Sequence, residues 1–177
     1  MKSTAVVAAA LMSFSATASA GTYLGMALGT DPSTNDGFAS VAQPYGRSLR
    51  GLLGFRFGNV ALEGALNGFS VTTQRDDQTA YQGSVGLKLS LPIGSGLEGF
   101  LRGGLERTWL SLDDRKRDFT GDGFLFGGGF EFRLSAILAD ASIFVDYTFH
   151  KTTLENDARQ SIDATSGMWG LGVTVGL

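Results

Sequence analysis

The residues of this chain that could perform acid–base or nucleophilic chemistry are few. His150 is the only histidine, and in a strand its side chain would share a face with Asp146 and Thr148. A histidine near a serine or an acid is the combination that activates nucleophiles in several hydrolases. The surrounding residues, Phe149-His150-Lys151-Thr152-Thr153, resemble no catalytic motif. We therefore interpret His150 as a polar residue at the rim of a strand and predict no catalytic residue.

One acidic segment resembles the start of a calcium-binding loop. Asp118-Phe-Thr-Gly-Asp122-Gly123 approaches the pattern D-x-[DN]-x-[DN]-G. However, Thr120 occupies the third position, and Gly129 stands at the twelfth, where a bidentate glutamate is needed. We predict a turn with solvated charges here, since glycine permits unusual backbone angles, and no metal site.

A run of three glycines, Gly127-Gly128-Gly129, does not read as a phosphate-binding loop. It has no following lysine and lies inside a strand pattern. Glycine at such a position allows a neighbouring strand or a bulky side chain, such as Phe100 or Phe144, to approach closely. We predict no bound cofactor.

The composition indicates what kind of element positions these residues. The chain has 26 glycines, three prolines and no cysteine, so disulfides do not hold the fold together. No stretch after Gly21 is apolar for the 18 residues of a transmembrane helix. Abundant glycine and aromatic residues suit a strongly curved sheet with a crowded interior.

The first twenty residues predict a cleaved signal peptide. Lys2 provides a positive charge, residues 5–14 are apolar, and Ala18-Ser19-Ala20 is an A-x-A cleavage site. The mature domain is then 21–177, a single β-barrel domain. Without Lys2 it has 13 basic and 17 acidic residues, a net charge of 13 − 17 = −4, which gives no support to nucleic-acid binding.

The hydrophobic period after residue 45 is two, as in β-strands. Residues 81–91 are the clearest case, with Tyr81, Val85 and Leu87 on one face and Gln82, Ser84 and Lys88 on the other. Eight strands are predicted, at about 22–29, 48–57, 60–70, 80–91, 97–111, 123–134, 139–150 and 167–177. The first is the weakest, because Tyr23, Leu24, Met26 and Leu28 do not alternate cleanly.

The connections alternate between short and long. Gly58-Asn59, 92–96 and 135–138 are short, whereas 30–47, 71–79, 112–122 and 151–166 are long and polar. This is the layout of a transmembrane barrel, with short periplasmic turns and long extracellular loops. A soluble sandwich or lipocalin-like barrel also alternates, but its apolar face points inward. Aromatic residues near predicted strand ends favour the membrane barrel, as interfacial girdles: Tyr23, Tyr81, Trp109, Tyr147, Phe149 and Trp169.

The whole mature chain resembles the OmpA/OmpX-type outer-membrane β-barrels. The resemblance rests on the signal peptide, the opening strand 21–29, the glycine-rich segment 123–134 and the closing strand 170–177. It implies an all-β, closed, antiparallel, eight-stranded, up-and-down transmembrane β-barrel in the outer membrane of a Gram-negative cell. The peptidoglycan-binding domain of some relatives is absent from the sequence, so we do not predict cell-wall tethering.

The resemblance also implies a C-terminal assembly signal, read by the barrel-assembly machinery. Relatives usually end in an aromatic residue, whereas this chain ends in Leu177, so assembly is expected but with lower efficiency. The alternating apolar positions of the signal are Trp169, Leu171, Val173, Val175 and Leu177. Expected partners are this machinery with periplasmic chaperones, outer-membrane lipids with lipopolysaccharide, and a host or other surface ligand at the loops. A closed barrel has no free edge, so we expect a monomer.

If the apolar face meets lipid, the polar face fills the lumen. An eight-stranded barrel is only wide enough to hold side chains, and buried charges must pair. We therefore predict an interlocked lumen charge network rather than a pore: Arg50, Arg56, Glu63, Lys88, Glu98, Arg102, Glu106, Glu131, Arg133, Asp140 and Asp146.

Three functions follow as hypotheses. The first is a structural or surface-interaction protein that displays four long loops. The second is a pore for ions or small solutes. The third is a lipid-modifying outer-membrane enzyme that uses His150, which the sequence supports least.

Overall fold

The computed structural model describes residues 21–35, 43–72, 77–110, 118–136, 139–156 and 161–177. Their alternating polar and apolar side chains form one antiparallel sheet. Its strands are β1 (Gly21–Gly29), β2 (Ser33–Thr34), β3 (Gln43–Phe57), β4 (Val60–Thr72), β5 (Asp77–Pro92), β6 (Leu97–Leu110), β7 (Phe119–Ala136), β8 (Ala139–Asn156) and β9 (Ser161–Gly176).

The eight long strands form a closed ring. Each pairs with the next long strand in the chain, and β9 also pairs with β1. The prediction of an eight-stranded up-and-down barrel is thus confirmed. The short β2 is an addition that the sequence did not indicate: Ser33 and Thr34 pair with Gly167 and Ser166 at one end of β9.

The register fixes the slope of the strands. Gly25 of β1 pairs with Leu52 of β3 on one side and Thr174 of β9 on the other. Following the pairing around the ring from Leu52 leads to Ala164 of β9, ten residues from Thr174, through Ala65, Ser84, Glu106, Gly123 and Thr152. An offset of ten residues over eight strands corresponds to a tilt of about 40°.

The two ends of the barrel differ in their connections. At one end, β3 and β4 are joined by Gly58 and Asn59, and Gly58 has the positive φ of 57° that such a tight hairpin requires. At the other end the strands reach beyond the predicted bounds, so that 43–47, 119–122, 151–156 and 161–166 lie in strands rather than in loops. The predicted long loops are correspondingly shorter.

The strand ends were missed because the alternation reverses there. Leu154 points into the barrel and is buried, while its neighbours Thr153 and Glu155 are exposed. Within the barrel wall below, the apolar residues point outward instead: Leu105, for example, is 69 % exposed. A strand that leaves the lipid no longer needs an apolar outer face.

The outer surface carries the apolar side chains, as a membrane barrel requires. Leu24, Met26 and Leu28 of β1 are all exposed, so the first strand does alternate. Of the aromatic residues predicted for the girdles, five point outward and are about half exposed: Tyr81, Trp109, Tyr147, Phe149 and Trp169. The prediction is wrong for Tyr23, whose ring lies in the lumen and whose hydroxyl donates to Glu63 at 2.5 Å. The described residues contain no helix long and apolar enough to cross a membrane.

Candidate functional site: the charged lumen

The lumen is built from inward-facing residues of all eight long strands. Its mid-section centres on Asp146 of β8, which is 1 % exposed. One Asp146 oxygen lies 2.8 Å from Arg50 Nη2, and the other lies 2.7 Å from Arg102 Nη2. The Thr148 hydroxyl donates to Asp146 as well, at 3.2 Å. This buried carboxylate therefore holds two guanidinium groups from opposite parts of the ring.

A chain of alternating charges extends from Asp146 toward the short-turn end. Arg102 lies 3.9 Å from a Glu63 oxygen, and Lys88 lies 3.7 Å from the other oxygen of Glu63. Lys88 in turn lies 2.5 Å from Glu131. The connected groups are three cations and three anions, so the buried charges balance one another. They are Arg50, Asp146, Arg102, Glu63, Lys88 and Glu131.

Aromatic rings fill the space between these charges. The Lys88 ammonium lies 4.4 Å from the centre of the Phe100 ring, and Arg102 lies 5.1 Å from the same ring. Arg50 lies 5.6 Å from the centre of the Phe144 ring. Cations at such distances over an aromatic face are attracted by its quadrupole. Phe100 and Phe144 were predicted as bulky lumen residues, and both are buried.

The glycine run of β7 makes room for this packing. A Cβ on Gly129 would lie 2.1 Å from the Val145 carbonyl oxygen and 2.7 Å from the Asp146 Cα. Gly121 and Gly123 are equally close to the backbone of β8, at 2.1 and 2.2 Å. The predicted turn at 118–123 is therefore wrong: Gly121, Asp122 and Gly123 lie in β7, where Asp122 pairs with Arg107 at 3.5 Å.

The short-turn end of the lumen is open. There, the two carboxylate oxygens of Glu98 lie 2.7 Å from Arg56 Nη2 and 2.9 Å from Arg133 Nη2. The Arg133 side chain is 45 % exposed. Asp140 is also exposed. These groups line a cavity of about 220 Å³. The expectation that all eleven charges are buried is thus wrong for Arg133 and Asp140, which are exposed at the mouth, and for Arg56, which is partly buried there.

The upper part of the lumen holds a second acid cluster. His150 Nδ1 and the Thr152 hydroxyl contact the two oxygens of Glu106, the hydroxyl at 2.6 Å. Glu106 and His150 are both buried. The interpretation of His150 as a rim residue is therefore wrong, because β8 continues six residues beyond it. Nearby, Asn67 donates to Gln82 at 3.1 Å, and a cavity of only about 30 Å³ lies below.

An apolar cluster occupies the long-loop end of the lumen, where sequence reasoning expected none. Its buried members come from six strands: Phe69, Val71, Ala80, Leu110, Phe119, Leu154 and Ala164. Ile162 packs against it. The reversed alternation of β8 noted above was the one signal that could have revealed it. Within the described part of the chain, no group of histidine and acidic residues is arranged to hold a metal ion.

A closed barrel with a lipid-facing apolar exterior and a charged interior defines a transmembrane β-barrel of the outer membrane. Residues 3–176 match the sequence profile of the outer membrane protein beta-barrel domain. The chain belongs to this family and is located in the outer membrane. No match is found among curated protein sequences.

Several solved structures are similar to this chain. Neisserial surface protein A (NspA) is 16 % identical, with a TM-score of 0.68 over 90 % of this chain and 99 % of that one. OprG of Pseudomonas aeruginosa is also 16 % identical, with a TM-score of 0.49 over 89 % and 96 %. Ail of Yersinia pestis, solved with the heparin analogue sucrose octasulfate, is 13 % identical, with a TM-score of 0.49 over 89 % and 99 %. At this identity the likeness to NspA establishes the fold alone.

Proposed function

We propose that this barrel is a non-conducting structural and surface-interaction protein rather than a pore or an enzyme. The main support for this proposal is that side chains fill the lumen at two levels. A charge-paired section crosses the middle, and the apolar cluster that includes Leu110 and Leu154 lies above it. An ion on this route would have to separate buried ion pairs and then lose its hydration among apolar side chains, and both steps are costly.

Planar-bilayer recording tests this proposal. The wild-type barrel is expected to leave the bilayer silent at high protein load. A variant that empties both fillings, with Phe69, Leu110, Leu154, Arg102 and Asp146 all changed to alanine, serves as the comparison. Steady unit conductance of the wild-type protein would contradict the proposal and favour the small-solute pore.

The filled lumen leaves the long-loop end as the surface for interactions. The start of the first long connection is fixed to β9: Asn35 Nδ2 donates to the Asp163 carbonyl oxygen at 3.1 Å, and Thr165 N donates to Asn35 Oδ1 at 3.2 Å. Strand β9 thus holds the start of this connection at the rim of the barrel. The connections 36–42 and 157–160, outside the described residues, would carry the ligand specificity.

Replacing 36–42 and 157–160 with short glycine–serine linkers separates display from structure. Adhesion of cells to host extracellular matrix is expected to fall, while the heat-modifiable band in SDS gels and detergent resistance of the envelope remain. Unchanged adhesion together with unchanged envelope integrity would remove the display role.

The buried Glu106–His150 pair argues against the enzymatic alternative. A catalytic histidine must reach its substrate, but His150 is buried below Leu154 and Ala164. Lipid A mass spectra are therefore expected to be identical in cells that express the protein and in cells that lack it. A mass change that disappears with His150→Ala would overturn this interpretation.

A further inference from the structure

Three basic side chains point away from the barrel in the part of the chain that the structure describes: Arg47 of β3, Arg107 of β6 and Lys151 of β8. All three are exposed. The other described lysines and arginines point into the lumen. The lumen charges are paired inside the protein, so these three outward charges need a separate explanation.

The three residues lie at one level along the barrel axis. Lys151 pairs with Phe124 of β7, and the same row reaches Leu105 of β6. Each row of paired residues rises by ten residues over eight strands, so a row is about two residues higher on β8 than on β6. Arg107, rather than Leu105, is therefore level with Lys151 within about one residue. The row shifts in the same way over the three strand steps from β6 to β3, which brings Arg47 to this level. The bulge between Tyr45 and Leu49 includes Gly46, whose φ is 76°.

This level coincides with the outer edge of the apolar band. Directly below it lie Leu49, Leu105 and Phe149, and the outward faces remain apolar down to Leu134 and Leu177 at the short-turn end. The band spans about ten residue levels, which at a 40° tilt is about 25 Å, the height of the hydrocarbon-facing band of outer-membrane barrels. The basic residues are therefore at headgroup height, where Tyr81 and Trp109 also lie.

We infer that Arg47, Arg107 and Lys151 form a belt that binds the phosphate groups of lipopolysaccharide in the outer leaflet. Arginine and lysine at this height meet the phosphates on the glucosamines of lipid A, whereas the core sugars lie further out. Phe124 of β7 lies between the two strands that carry Arg107 and Lys151 and about one residue below both cations, so acyl chains can pack on its ring while the cations reach phosphate oxygens. Phosphate binding by the belt does not depend on whether the lumen conducts.

Of the acidic residues near the belt, Glu155 and Asp163 lie beyond it, whereas Asp122 lies within it beside Arg107. Glu155 lies four residues beyond Lys151 on β8, and Asp163 pairs with Thr153, two residues beyond it. Both carboxylates are therefore further from the lipid. Asp122 lies next to Arg107 at 3.5 Å, but both side chains are more than half exposed, so solvent and salt screen the pair.

Titration with lipid A tests the belt. All variants are made in a background protein that carries Trp169→Phe, which leaves Trp109, two residues beyond Arg107, as the only tryptophan. The fluorescence of Trp109 then reports lipid binding near the belt. The folded barrel in neutral detergent with EDTA is titrated with lipid A bearing both phosphates and, separately, with dephosphorylated lipid A. EDTA removes binding that depends on divalent cations. We expect at least tenfold tighter binding of the phosphorylated form, and the preference should shrink as NaCl is raised.

Glutamine at the three positions should remove this preference. Each replacement of Arg47, Arg107 or Lys151 is expected to weaken binding of phosphorylated lipid A about fivefold, and the triple variant about a hundredfold. Arg133→Gln removes a cation at the opposite end and should leave the preference for phosphorylated lipid A unchanged. Arg47→Lys with Arg107→Lys should keep the preference, and each variant must show the heat-dependent gel shift of a folded barrel. A triple variant that still prefers phosphorylated lipid A, or a background protein without a preference, would overturn the belt.

Discussion

Asp146 accepts two hydrogen bonds from one nitrogen of Arg50, at 2.8 and 2.9 Å, across the inside of the barrel. The two residues are 96 positions apart in the sequence, on β8 and β3. No pattern along either strand indicates this pairing, because it depends on which strands face each other across the lumen. The contact is nevertheless the centre of the buried charge network, since Asp146 also binds Arg102.

Asp146→Asn should strongly destabilise the barrel. It leaves Arg50 and Arg102 buried without their shared counter-charge, and breaking a buried pair in this way costs about 3 to 5 kcal/mol. Urea unfolding in detergent micelles, followed by tryptophan fluorescence, measures the change. The matched control is Asp122→Asn, which removes an exposed partner of Arg107 and should cost less than about 1 kcal/mol. Equal effects of the two variants would mean that the lumen pairs contribute no more than surface pairs.

Tyr23 and Glu63 should be energetically coupled. The Tyr23 hydroxyl donates to the Glu63 carboxylate at 2.5 Å in the lumen, and a hydrogen bond to a charged group contributes about 1.5 to 3 kcal/mol. A double-mutant cycle with Tyr23→Phe and Glu63→Gln should give a coupling energy of about 1 kcal/mol or more. Additive effects of the two substitutions would show that the contact is not formed in the membrane-embedded protein.

The fold was predictable from the sequence to a much greater extent than the site. Alternation over residues 81–91 requires only local reading, because lipid and lumen impose opposite polarity on neighbouring residues. The inward positions of the charged residues follow from the same parity. Their partners do not, because Glu63 contacts Tyr23, Lys88 and Arg102 from three other strands. Pairing across a lumen is set by the shear of the whole ring.

For Tyr23 and Leu154, the inward or outward direction of the side chain was predicted wrongly. Tyr23 was interpreted as an interfacial aromatic because it lies near a predicted strand end, but its neighbour Leu24 takes the lipid-facing position. Leu154 was placed in a loop because its flanking residues are polar. Beyond the lipid the outer face is solvated, so the polar and apolar faces exchange roles while the strand continues.

The apolar cluster at the long-loop end should stabilise the barrel. Leu154→Ala removes a side chain that is 2 % exposed, and such truncations cost about 2 to 5 kcal/mol. Glu155→Ala, the next residue on the opposite face, is the control and should have little effect. Chemical unfolding in micelles measures both. If Leu154→Ala were no more destabilising than Glu155→Ala, the cluster would not be a core.

Two glycines distinguish close backbone packing from mere flexibility. Gly129→Ala places a Cβ 2.1 Å from the Val145 carbonyl oxygen, and because the obstacle is backbone, β7 and β8 must separate next to Asp146. A strand pair that separates loses ladder hydrogen bonds and the Asp146 contacts together, so we expect little folded protein after refolding. Gly51→Ala on β3 has no atom within 4 Å of its Cβ and should fold as the wild type does. The fraction of heat-modifiable protein measures both. Equal loss at the two positions would mean that glycine acts here through chain flexibility rather than through contact with β8.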